Sequence, residues 1–139
     1  MMLRILLFIS LILIATKSLA NTTMKVSSGS LESISDFKSE FVAARDVHIW
    51  LPEGYAANAK AGNTYAVLYM HDGQMLFDAA TTWNKQEWGV DEVTGQLIRE
   101  GKTRPFIVVG INNGGELRHP EYIPQRPFSD IDDDMKGPL

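Results

Sequence analysis

From residue 21 onward, polar and apolar positions fall into distinct blocks. Residues 21–30 are polar and read as a loose lead-in. Leu31, Ser33 and Ser35 alternate with Glu32, Ile34 and Asp36, which predicts a strand. Arg45 to Leu51 alternates more clearly: Val47, Ile49 and Leu51 face one way, and Asp46, His48 and Trp50 the other. Pro52-Glu53-Gly54 stops this strand, because Pro lacks a ladder donor and Gly turns readily. The two strands read as an antiparallel pair. Ala56 to Asn63 reads as a loop of small residues.

Tyr65 to Met70 is a continuous apolar run, which predicts a strand buried on both faces, as in a parallel sheet. Residues 71–86 form a long loop carrying Phe77 and Trp83. Val90, Val93, Leu97 and Ile98 then mark one face of a helix. Asp91 and Glu92 in its first turn, and Arg99 and Lys102 in or near its last, suit the helix dipole. Gly101 is a terminator, and Gly95 costs the helix about 1 kcal/mol relative to Ala. Phe106 to Ile111 is a second buried strand, ended by Asn112-Asn113-Gly114-Gly115. The centre is thus a βαβ unit with parallel strands, and the fold class is α/β. Arg118 to Pro124 reads as an ordered loop, and no further strand or helix of useful length follows.

The first twenty residues change the picture of where the chain works. Arg4 gives a positive start, and Ile5 to Ala15 is apolar but for Ser10. Ser18-Leu19-Ala20 places small residues at a cleavage site. The run is shorter than the ~20 apolar residues that span a bilayer. Residues 1–20 are expected to be a secretory signal cleaved after Ala20, with no stable membrane anchor. Residues 21–139 would then be the secreted or periplasmic domain. With 13 basic and 17 acidic residues the net charge is -4, against a nucleic-acid footprint. The absence of Cys excludes a disulfide scaffold, a thiolate zinc site and a cysteine nucleophile.

In parallel α/β sheets, functional loops lie beyond the carboxyl ends of strands. That selects His71-Asp72-Gly73-Gln74 and Asn112 to Arg118. The first could aim backbone N–H groups at a developing oxyanion. Equally, Asp-Gly could serve only as a strand-ending turn.

Several segments resemble the putative esterase family (esterase D and enterochelin-esterase-like) of the α/β-hydrolases. They are Val47 to Tyr55, Ala66 to Asp78, Glu87 to Glu92, Ile107 to Gly114 and Arg118 to Pro124, in the family's order. The resemblance implies a serine hydrolase acting on small-molecule carboxylic esters, without a cofactor or metal. It implies that the backbone N–H of Gln74, or of Gly73, is an oxyanion-hole donor. Asp72, Trp83, Arg118 and Tyr122 are candidate substrate-binding residues. Trp83 and Trp88 could stack on an aromatic acyl group or a sugar, or simply pack under the loop.

The family reaction needs a Ser on a Gly-x-Ser-x-Gly elbow, then an acid and a His. No such elbow occurs in these residues. Ser129 is the only Ser beyond residue 39, and no His follows His119. The set for acyl transfer is incomplete. His48, His71 and His119 with Asp72 lack metal-ligand spacing. Asp130, Asp132 and Asp134 mimic the start of a calcium loop, but Met135 stands where that loop needs Gly.

Two readings remain. In the first, the chain is an N-terminal, apparently truncated part of an α/β-hydrolase and is inactive alone. In the family's sheet order, the nucleophile strand lies beside Tyr65–Met70, so without it that strand would show an open edge. In the second, the chain is a secreted, non-catalytic ligand-binding module using the loops around Gln74, Trp83 and Arg118. Neither acyl specificity nor oligomeric state is legible.

Overall fold

Two antiparallel strands open the described part of the chain, which is residues 23–123 of a computed structural model. β1 (Ser30–Phe37) pairs with β2 (Arg45–Leu51), as the alternation predicts. The signal region, Ser129 and the acidic Asp130–Asp134 run lie outside the described residues.

Gly54, at φ 75°, leads into a short helix, α1 (Tyr55–Lys60), where composition suggested a loop. Ala56, Ala57 and Ala59 are the strongest helix formers, and that local preference prevails without a buried face. β3 (Ala66–His71) follows, then a long segment with short 3-10 turns at Gly73–Met75 and Ala79–Thr81. α2 (Val90–Arg99) and β4 (Phe106–Ile111) complete the βαβ unit.

The four strands form one mixed sheet in the order β1-β2-β4-β3. β4 runs parallel to β3, from Ala66 opposite Phe106 to His71 opposite Ile111, and antiparallel to β2. Register therefore assigns the faces. Trp50, Val108, Gly110 and Met70 lie on one side; Ile49, Val109 and Tyr69 lie on the other.

The first face carries the core. Trp50, Leu76, Phe77 and Val108 are its buried centre, with Met70, Val90, Ile98 and Phe106 packed around them. The opposite face holds an apolar groove of about 420 Å³ lined by Ile34, Phe37, Val47, Tyr69 and Val109.

Two expectations need correction. β3 is not buried on both faces: it is an edge strand, and Val67, Leu68 and Tyr69 are exposed. Its apolar run reports a strand made for burial, but among the described residues only β4 pairs with it. The inner face of α2 is only partly the expected apolar stripe: Val90 and Ile98 pack on the core, but the most buried positions lie beside them. Asp91, Thr94 and Gly95 are buried, whereas Val93 is exposed. Gly95 explains the rotation. A Cβ there would lie 2.9 Å from Ser28 Cβ, so only Gly lets the helix seat against the lead-in. The helix does stop as expected, with Gly101 at φ 67° and Lys102 N–H donating to the Leu97 carbonyl.

An exposed apolar edge is a template for strand addition, and Lys is an effective guard against it. Tyr69, at 68% exposure, stands on that edge. Tyr69→Lys is expected to raise the monomer fraction in sedimentation velocity. An unchanged distribution would place self-association elsewhere.

Candidate functional site

At the carboxyl end of β3 the chain turns sharply. Asp72 has φ 55° and ψ 44°, the left-handed region that costs an L-residue on the order of 1 kcal/mol. Asp and Asn tolerate it best among residues with a Cβ. Here side-chain bonds reinforce the choice. Arg118 grips the Asp72 carboxylate with two parallel bonds, Nε to Oδ1 and Nη2 to Oδ2, both 2.8 Å. The Asn113 amide donates to Oδ1 at 2.6 Å. Asp72 is only 6% exposed, so these bonds are charge-assisted and well shielded.

The next residue fits just as tightly. Gly73 lies on the β4 backbone: a Cβ there would stand 2.6 Å from the Gly110 carbonyl carbon. Both glycines are needed for this approach. The Gln74 side chain accepts the Asn113 N–H at 3.2 Å, which ties the β3 loop to the β4 loop. Met75 N–H and Leu76 N–H bond back to the Asp72 and Gly73 carbonyls. The N–H groups of Gly73 and Gln74 precede those bonds and have no acceptor among the described residues. They are the unpaired donors at the start of a helical turn.

The strap above this loop is helical, where an ordered loop was expected. A 3-10 turn (Gly115–Leu117) runs into α3 (Arg118–Tyr122). Two ion pairs seat it: Arg118 with Asp72, and Arg45 with Glu121 through two 2.8 Å bonds. Gly114 leaves the room Glu121 needs, since a Cβ there would meet its Oε2 at 2.8 Å. Tyr122 then packs against the Arg118 guanidinium, 5.0 Å from its ring centre, and against His71, with ring centres 4.9 Å apart.

The electrostatics follow from this packing. The Arg118 guanidinium holds the Asp72 carboxyl below its ordinary 3.8 against the opposing effect of burial. Arg45 likewise lowers the Glu121 carboxyl. His48, buried beneath the same end of the sheet, is lowered chiefly by burial. Its Nδ1 meets Ser33 Oγ at 2.8 Å, while Nε2 and the Asn112 side-chain oxygen are buried without partners.

Four of the residues singled out from sequence thus meet here: Asp72, Gly73, Gln74 and Arg118, with Tyr122 at their rim. Trp83 does not join them. It is 86% exposed and takes part in none of these bonds or aromatic pairs. Asn113, His71, Arg45 and Glu121 were not singled out as site residues. His71 and Asn113 stood within the flagged loops without a role of their own, but Arg45 and Glu121 are far apart in sequence and carry no local signal.

Replacing Arg118 with Met leaves Asp72 buried without a counter-charge. A carboxyl held low in the fold adds stability above its unfolded value and loses it as pH falls through its folded value. The parent is therefore expected to exceed Arg118→Met in stability at neutral pH. The gap should close below about pH 4, near the ordinary Asp value. Urea midpoints between pH 3 and 7 would show this; a gap independent of pH would contradict it.

This arrangement leaves two successive backbone N–H groups without acceptors among the described residues, beside the Arg118–Asp72 ion pair at the end of a parallel strand, and such donors can hold an oxygen that bears negative charge. A family model described as putative esterase matches residues 39–130. A search of curated proteins finds no match.

Proposed function

The chain belongs to the putative esterase family, and from that membership we propose that the β3 loop is the oxyanion-stabilising half of a carboxylic-ester hydrolase site. The observation that carries this is the Asp72 clamp. A buried carboxylate, gripped by Arg118 and Asn113, fixes a left-handed turn whose next two N–H groups are free. Donors that are already in place need no reorganisation when charge develops, and that is the source of their catalytic effect. Gly73 and Gln74 supply the donors by backbone, and the Gln74 side chain serves only as a brace to Asn113.

On this reading the mixed sheet is the N-terminal part of an α/β-hydrolase. The edge of β3 is then where the strand bearing the nucleophile would pair. Asp72, Arg118 and Tyr122 border the substrate. Residues 1–20 direct the chain out of the cytoplasm. The 139 residues contain no Gly-x-Ser-x-Gly, so they hydrolyse no ester by themselves. Secreted ligand binding without turnover is the competing reading.

Ester hydrolysis ends in a carboxylate, which makes a product analogue a direct probe. Titrating benzoate into the full chain should move the Gly73 and Gln74 amide protons downfield and saturably, while p-nitrophenyl acetate is not turned over. Arg118→Met should weaken the response. Benzoate that moves other amides but not these two would reject the proposed donors.

A further inference from the structure

A second cluster lies at the start of α2, away from the Asp72 loop. Glu87, Asp91 and Glu92 each bring a carboxylate oxygen to within 4.8 Å of the others. Acidic clusters are common, but this one is anchored on a fully buried carboxylate. Asp91 is 0% exposed. Its Oδ2 accepts from Ser27 N–H at 2.7 Å, Ser27 Oγ at 3.0 Å and Ser28 N–H at 3.3 Å. Its Oδ1 is buried with no partner, and so is Oε2 of Glu87. With Oδ2 saturated, Oδ1 is the Asp91 oxygen with lone pairs to give.

The donors present are too few. Ser27 Oγ lies 3.0 Å from Asp91 Oδ2 and 2.8 Å from Glu92 Oε1, yet a hydroxyl has one proton to share between them. None of the three carboxylates has a basic side chain paired with it among the described residues.

We propose that Glu87, Asp91 and Glu92 form a calcium site that fastens the long loop before α2 to the first turn of the helix. The donor set is all oxygen, which suits a hard cation. Calcium–oxygen distances of about 2.3–2.6 Å let oxygens up to about 5 Å apart share one ion, whereas Mg²⁺ at about 2.1 Å requires a tighter set. Oxygens within 4.8 Å of one another can be reached by one ion of calcium's size. Glu92 is exposed and Glu87 half-buried, so water completes the shell from the open side. Asp91 also holds Ser27 and Ser28, so the ion would join three segments: the lead-in, the loop and α2.

The test uses the full chain after EDTA treatment and dialysis. Equilibrium dialysis should find one calcium per chain, with a Kd on the order of 10⁻⁴ to 10⁻³ M, as in extracellular modules. About 10 mM CaCl2 should raise Tm more than MgCl2 or NaCl at equal ionic strength, as mass action on a folded-state site requires. Glu87→Gln and Glu92→Gln keep the shape and the Asp91 contacts, and each should lose most of that rise. Without calcium, Glu87→Gln should melt above the parent, because it removes a repelled charge. No calcium-specific binding by the folded chain would overturn the proposal, leaving a shared proton to relieve the cluster. A full calcium response in both Gln variants would overturn it equally.

Discussion

Gly73→Ala is expected to lower unfolding free energy by about 3 kcal/mol, the upper part of the usual range for overpacking. The reason is what the new methyl would strike. Its contacts are the Gly110 carbonyl carbon at 2.6 Å, the Gly110 oxygen at 2.8 Å and the Ile111 nitrogen at 2.8 Å. All are backbone atoms of a central strand, and no rotamer change relieves them. Gly110→Ala is a useful contrast. Its first contact is the Leu76 Cδ1 methyl at 2.8 Å, a side-chain end rather than backbone, and it meets the Gly73 Cα only at 3.2 Å, so it is the milder of the two. Gly73→Ala should therefore show the lower urea midpoint, read by Trp fluorescence at low protein concentration. If it matches the parent, the loop does not rest on β4 as described. A variant that survives by lifting the loop would carry the Gly73 and Gln74 amides away from their place, so its benzoate response should fall as well.

Trp50→Ala is expected to cost about 4 kcal/mol, typical of removing a large aromatic from a core. Trp50 is 1% exposed and stands at the centre of the cluster with Leu76, Phe77 and Val108. Its Nε1–H also donates to the Ser28 carbonyl at 2.7 Å. That bond lays the lead-in across the indole, and Gly29 has no room for a side chain there. Ser27 and Ser28 in turn hold Asp91, so losing the indole should loosen the start of α2. Hydrogen exchange at residues 27–28 and 91–94 would report this. Trp50→Phe keeps most of the packing and should cost nearer 1 kcal/mol through the lost hydrogen bond. Equal midpoints for the Ala and Phe variants would remove Trp50 from the centre of the core.

How far the sequence could be read depended on whether the signal was local. The antiparallel pair was legible because period-two alternation belongs to each strand alone. The βαβ unit was legible from two apolar runs flanking a helical period. α1 was missed because its helix rests on alanine propensity, which leaves no periodic stripe. The burial of β3 was misjudged because an apolar run records the environment a strand suits, not which neighbours are present. The inward face of α2 was read only in part: Val90 and Ile98 do pack on the core, but the close seat of Gly95 on Ser28, a contact between distant residues, turns Val93 outward.

The site divides the same way. Asp72, Gly73 and Gln74 could be picked from their place at a strand's end, and Arg118 through the family resemblance. The bidentate grip of Arg118 on Asp72 could not be read, since nothing local pairs two residues so far apart. Arg45 and Glu121 were invisible for the same reason. The cluster at Glu87, Asp91 and Glu92 passed as a helix start with acidic residues. Its buried, unpartnered oxygens appear only once the lead-in is folded over it.

The central claim is that this chain carries the oxyanion-side half of a serine ester hydrolase. It is tested most directly by translating the DNA that follows the Leu139 codon in all three frames. A Gly-x-Ser-x-Gly elbow followed by an acidic residue and then a His, in any frame, is the expected result. Coding sequence in every frame without such an elbow would contradict it and favour ligand binding without turnover.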